Sequence, residues 1–177
     1  SFEGNINFTK SDLLSSFDET EEAKWWKFWS LARFDKAKYE ADKELLISYY
    51  KKNGYRDAEI LTDSLVYEND KKDMRIFLKV YEGPQYKIRN IVWQGNSIYT
   101  DEVLNERLGF SNGDIYDYER FNQNLRGNER QFDIASLYLD NGYLTFNLNT
   151  IEEKIGEDSL DVTIQITEKN QFRIGKV

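Results

Sequence analysis

Apolar and polar positions alternate most regularly at 160–166, where Leu160, Val162, Ile164 and Ile166 interleave with Asp161, Thr163 and Gln165. A period of two predicts a strand with one buried face. Leu144, Phe146 and Leu148 alternate with Thr145, Asn147 and Asn149, predicting a strand over 143–151 that Gly156 turns into the next. Upstream the period lengthens. Phe121, Leu125, Phe132, Leu137 and Tyr138 give one apolar face to a helix that starts near Asp117 and ends at Asn141-Gly142, with a break point at Arg126-Gly127-Asn128. A shorter helix fits 100–108: Thr100-Asp101-Glu102-Val103 reads as a capping box and Gly109 as the stop. The β-branched and aromatic stretch 85–94, closed by Gly95-Asn96, predicts an opening strand. The order is β-α-α-β-β. Each strand has one apolar face, so both helices must cover the same side of the sheet.

The first half of the chain repeats this order with its opening strand almost missing. Thr9 caps a helix through Leu14, and Asp35 opens a longer one with a stripe of Tyr39, Leu45, Leu46, Tyr49 and Tyr50. Asn53-Gly54 ends it, and strands follow at 58–67 and 74–81. In the first of these the phase slips, because Leu65 and Tyr67 fall opposite Ala58 and Ile60; a β-bulge near 62–64 reconciles them. Three markers recur in order. Phe2-Glu3-Gly4-Asn5 returns as Trp93-Gln94-Gly95-Asn96, Tyr50-Lys51-Lys52-Asn53-Gly54-Tyr55 as Tyr138-Leu139-Asp140-Asn141-Gly142-Tyr143, and Tyr81-Glu82-Gly83 as Thr167-Glu168-Lys169. The chain therefore divides into two copies of one domain, 1–83 and 84–170, with 171–177 beginning a further repeat. Tandem copies build scaffolds and binding surfaces more often than lone active sites.

Composition narrows the function. Net charge is −8 over 177 residues, with 14 basic and 17 acidic residues through Gly83 and 10 and 15 after it. Neither half has the basic excess of a nucleic-acid binder, and the sign argues against docking on anionic lipid. Cysteine and histidine are absent, which removes thiol nucleophiles, disulfides, Ser-His-Asp chemistry and Cys/His zinc sites. Lack of cysteine fits a cytosol or a periplasm equally. No apolar run approaches the ~20 residues of a spanning helix, and no signal peptide is present. The chain reads as an excised piece of a longer protein. Acidic clusters at Asp18-Glu19, Glu21-Glu22, Glu152-Glu153 and Glu157-Asp158 lack the spacing of a calcium loop. Such pairs arise by chance among 32 acids, so no catalytic residue, metal ligand or cofactor is assigned; a carboxylate-dependent hydrolase is the remote alternative.

The hydrophobic-x-Gly-Asn strand end, the Tyr-Tyr-x-x-x-Gly-Tyr helix end and the hydrophobic-x-Glu-Gly-x-x-Tyr junction resemble the polypeptide-transport-associated (POTRA) repeats that precede the membrane barrel of outer-membrane assembly factors. The resemblance covers essentially the whole chain. It implies an α+β fold of two tandem repeats, each with two helices on one face of a three-stranded mixed sheet. The Trp25-Trp26-Lys27-Phe28-Trp29 stretch resembles the third repeat of a five-repeat array, and Gly113-Asp114-Ile115-Tyr116 the fourth. One departure is Glu168-Lys169, where the family has glycine second.

The resemblance further implies a non-enzymatic periplasmic scaffold that guides nascent outer-membrane β-barrel proteins and docks accessory assembly lipoproteins, meeting the membrane only through a barrel beyond this chain. A related translocation or secretion factor is the alternative. Such small sheets leave a hairpin strand at an edge, where an unfolded client strand can add through backbone hydrogen bonds. The candidate is 58–67, with Glu59, Ile60, Leu61, Asp63 and Leu65; the competing reading is an edge blunted by its bulge and charges. Trp25, Trp26 and Trp29 are candidate partner contacts, although burial of each ring over its own helices, worth about 2–3 kcal/mol, favours an internal role.

Overall fold

The structure, a computed structural model, describes residues 1–15, 36–68 and 73–173; Trp25, Trp26 and Trp29 lie outside them. Two compact units result, Ser1–Pro84 and Gln85–Val177. Unit 1 contains β1 (Phe2–Glu3), α1 (Lys10–Ser15), α2 (Lys36–Lys52), β2 (Glu59–Glu68) and β3 (Asp73–Tyr81). Unit 2 contains β4 (Lys87–Gln94), α3 (Asp101–Leu108), α4 (Tyr118–Arg126), α5 (Ile134–Asp140), β5 (Asn147–Ile155) and β6 (Ser159–Thr167). In both, the last strand takes the centre of a mixed three-stranded sheet, parallel to the opening strand and antiparallel to its hairpin partner. Ile76, Leu78 and Val80 of β3, and Leu160, Val162, Ile164 and Ile166 of β6, bury their alternate faces under the helices. The resulting fold is the α+β architecture of two tandem units that the periodicity implies.

Local chemistry decides where the elements begin and end. Thr9 and Asp12 form a reciprocal capping box on α1: the Thr9 amide donates to Asp12 Oδ2 at 2.8 Å and the Asp12 amide to Thr9 Oγ1 at 3.2 Å. The expected box at Thr100 does not form. The third helical residue there is Val103, which has no acceptor to reach back, and the Thr100 side chain makes no capping bond. Unit 2's long helix is split. Gly127 leaves helical geometry at φ +150°, and Asp133 starts α5 by accepting from the Ser136 amide at 2.8 Å. Both long-helix ends then close alike. The Tyr55 amide bonds Tyr50 O at 2.9 Å and the Tyr143 amide bonds Tyr138 O at 3.0 Å across a glycine with φ near +90° or +84°. This turn also delays β5 to Asn147, four residues beyond the expected start. Phe146 stacks on Tyr138 with centroids 5.0 Å apart, while Leu144 is exposed, so these alternating residues belong to the turn and not to the ladder.

The β2 bulge lies at Leu61, just ahead of the expected 62–64. Ile60 pairs with Val80 and Thr62 with Lys79, which leaves Leu61 the extra residue. Past it, odd positions share the face of Ile60, and Leu65 joins the core as the slipped periodicity requires.

Each unit encloses one carboxylate just past its central strand. Glu82 accepts from the Asn7 amide at 3.1 Å, from Asn7 Nδ2 at 2.6 Å and from the Tyr50 hydroxyl at 3.0 Å. Glu168 accepts from the Ser97 and Ile98 amides at 2.9 Å each, from the Ser97 hydroxyl and from the Tyr138 hydroxyl at 2.9 Å. Both side chains are buried. Burial pushes the Glu168 carboxyl up; the donors, Ser97 foremost, outweigh it and hold it below the ordinary glutamate value. Burial first, then the facing carboxylate, raises the Tyr50 and Tyr138 phenols. The turn that presents these donors needs glycine. A Cβ on Gly4 or Gly95 would lie 2.2 Å from Val80 O or Ile166 O, and both residues have positive φ.

Two outcomes follow from this geometry. Gly95→Ala, facing both a backbone clash and φ +82°, is expected to destabilise unit 2 by more than the ~1–2 kcal/mol of a left-handed non-glycine residue. Gly113→Ala, at φ +94° with open space around it, should cost only that amount. Urea melts read from unit 2 amide resonances measure both, and equal losses would refute the close-approach argument. For Glu168, a depressed folded pKa means stabilisation is complete above the unfolded value and is lost as pH falls through the folded one. Wild type should therefore lose its advantage over Glu168→Gln on acidification from about pH 6 to about pH 3. A difference that stays constant across that range would exclude the carboxylate as the source.

Candidate functional site

In unit 1, ten-residue β2 sits at a sheet edge, bonded on one side to β3. Among the described residues its other side is unpaired, and it presents backbone donors and acceptors along more than the usual strand length of about 5–6 residues. The candidate side chains on it separate into two groups. Ile60 and Leu65 pack into the core, and Asp63 faces α2. The Tyr39 hydroxyl and Lys43 Nζ each donate to Asp63 Oδ2 at 3.0 Å. These bonds, Lys43 first, hold the Asp63 carboxyl below its ordinary value, while burial and then Asp63 push the Tyr39 phenol up. Glu59 and Leu61 remain exposed. The helix layer thus fixes β2 from one face, and what the strand still offers is its backbone edge and its outer face.

That outer face carries an apolar patch. Pairing across the β2–β3 ladder puts Val66 of β2 on the same side as Phe77 and Tyr81 of β3, beside the bulged Leu61, and all four are exposed by 41–49%. Its polar neighbours are Thr62, Ser64, Lys79, which is paired with Glu3 at 3.2 Å, and the exposed Glu59, which lies opposite Tyr81; Arg75 is the ladder partner of Val66.

Unit 2 has the same topology and a different surface. Its edge strand β5 is nine residues long. The outer face of its sheet is laced by polar side chains. Asn149 Nδ2 donates to Gln165 Oε1 at 3.1 Å, and Gln165 Nε2 to Gln94 Oε1 at 3.2 Å. At the other end Arg89 and Asn90 both hold Asp161. Only Val92 and Ile151 interrupt this lacing with exposed apolar groups, on either side of Thr163.

Among the described residues, no three carboxylates gather where a metal ion could be held, and no helix is long and apolar enough to cross a membrane. Of the acidic clusters, Glu152 is engaged by the Tyr116 hydroxyl at 2.6 Å, while Glu153, Glu157 and Asp158 are exposed. Sequence reasoning missed the buried glutamates as structural centres. Their signal was the repeated glutamate that follows each central strand, together with the repeated tyrosine five residues before each helix-end Tyr.

Curated relatives are similar to this chain over much of its length. The chain is 29% identical over 180 residues, 98% of its length, to a Treponema pallidum protein provisionally named an outer membrane protein assembly factor. It is 29% identical over 78% of its length to the outer membrane protein assembly factor BamA of Nitratidesulfovibrio vulgaris, and 33% identical over 60% to that of Neisseria meningitidis. It spans 20%, 17% and 13% of those three proteins. Among solved structures, repeats three to five of Haemophilus influenzae BamA match 97% of this chain and 65% of their own with a TM-score of 0.64 at 18% identity, which speaks to the fold. The "Surface antigen variable number repeat" (POTRA) model matches twice, over residues 1–83 and 86–169. With the duplicated β-sheet topology and the duplicated buried glutamate, these two matches show that the chain belongs to the POTRA family.

Proposed function

We propose that this chain is a periplasmic repeat region of an outer-membrane β-barrel assembly factor, corresponding to repeats three and four of its array. In this reading it performs no chemistry. It receives strands of nascent outer-membrane proteins and docks accessory assembly lipoproteins. The observation that carries it is the β2 edge beside the apolar outer face of Leu61, Val66, Phe77 and Tyr81. An unfolded barrel strand alternates apolar and polar residues. Added to β2, it would satisfy its backbone through the edge and could lay its apolar side along this face. Backbone pairing tolerates many sequences, as a factor with many clients requires. The polar lacing of the second sheet makes β5 the poorer acceptor, so client binding is assigned to unit 1.

Amide NMR titration with a synthetic barrel-strand peptide tests this. Shifts are expected along β2 and at Phe77 and Tyr81. N-methylation of alternate peptide residues should weaken binding more than tenfold when it removes the edge-facing donors, since each lost bond costs about 1 kcal/mol. A flat spectrum, or equal binding by both N-methylated registers, would end the strand-addition reading.

A further inference from the structure

Arginine is unevenly partnered in this acidic chain. Arg89 is clamped to Asp161 and Arg56 lies 3.7 Å from Asp57. Arg107, Arg120 and Arg130 have no carboxylate within ion-pair distance among the described residues, yet all three line one cavity of about 520 Å³ beside α3, α4 and the 127–133 loop. A volume of that size suits a small ligand or a few residues of peptide.

The walls are built in advance. Asp133 is fully buried and fixes the loop by accepting from the Asn128 amide at 3.2 Å as well as from Ser136. Asn128 Oδ1 accepts from the Arg130 and Phe132 amides at 3.1 Å each, and Asn124 Nδ2 caps Leu108 O at 2.9 Å. The guanidiniums are positioned by rings: Arg107 lies 4.5 Å from the Phe132 centroid and Arg120 4.1 Å from that of Phe110. Each spends one donor on a carbonyl, Asp133 O at 3.3 Å and Gly109 O at 3.2 Å, from a fork that carries five.

Helix-end carbonyls alone do not account for three arginines, since Arg130 bonds none. We propose that this groove binds an acidic polypeptide segment, whose carboxylates are held by Arg107, Arg120 and Arg130. Carboxylates match the planar fork of guanidinium. Glu106 and Glu129 also line the groove and repel a carboxylate, which confines the acidic side chains to the arginine side. Peptide is favoured over phosphate because the loop amides of Asn128, Arg130 and Phe132 are already spent on side chains, leaving no nest of free N–H groups. The exposed Phe132 ring adds an apolar contact that a peptide can use. This groove is independent of the β2 edge.

The test is an amide NMR titration of the chain with a blocked hexapeptide containing three glutamates. Parallel arms use its glutamine counterpart, inorganic phosphate and vesicles of anionic phosphatidylglycerol. Saturable shifts at the groove residues, roughly tenfold weaker binding of the glutamine peptide, and a comparable loss in Arg120→Gln/Arg130→Gln would support the proposal. Arg130→Gln alone, which removes no intramolecular bond of that side chain, should weaken binding in the same direction. A flat titration, equal binding of both peptides, or groove shifts from phosphate or vesicles without shifts from the acidic peptide would overturn it.

Discussion

The rest of each unit depends on one buried carboxylate. Glu82 and Glu168 sit where the central strand leaves the sheet, and each must find donors or suffer the full penalty of a desolvated charge. The donors come from two places distant in sequence: the turn after the opening strand, and the tyrosine near the end of the long helix. One side chain therefore registers strand, turn and helix against each other. The glycine before each turn completes the arrangement, because only a residue without a Cβ lets that backbone approach the central strand so closely. This explains why the three recurring sequence markers recur together: they are the parts of one clamp.

With the helix layer fixed in this way, the opposite face of each sheet and its hairpin edge are free to diverge. In unit 1 the outer face carries Phe77, Tyr81 and Val66; in unit 2 Thr163, Thr167 and Glu153 stand at the corresponding positions, beside an amide ladder and an Arg89–Asp161 clamp. Such lacing ties an exposed sheet face to itself and leaves it polar, which discourages strand-on-strand association. One sheet is thus furnished to accept company and the other to decline it, while their cores follow the same plan.

Much of this was legible in the residues because burial imposes a period. Alternation in β6 and the slipped phase in β2 follow directly from one-faced packing, and the bulge had to exist somewhere between Ile60 and Leu65. What misled was apolar residues serving a turn. Leu144 and Phe146 continue the alternation of β5 without belonging to it, since Tyr138 holds Phe146 by stacking. Thr100 looked like half of a capping box, but its reciprocal partner is absent from the sequence, whereas Thr9 has Asp12. Among the candidate edge residues, alternation around an unlocated bulge could not say that Asp63 would reach α2 from an exposed position or that Leu65 would join the core. The Arg107, Arg120 and Arg130 groove was hidden because its members are spread over 24 residues and meet only through the split of the long helix.

The Glu168-Lys169 departure shows how firmly the clamp is held. Gly83 follows the first buried glutamate with φ +69°, and Lys169 follows the second with φ +54°. A left-handed lysine costs about 1–2 kcal/mol relative to ordinary backbone. Unit 2 accepts that cost and keeps the geometry, because relaxing the turn would draw Glu168 away from four donors at once. Unit 1 has three donors on Glu82, from two residues, and retains the glycine. Strain at the residue after the carboxylate thus goes with the fuller set of donors, as expected if the bonds to the glutamate, and not the turn sequence, determine where the chain leaves the sheet.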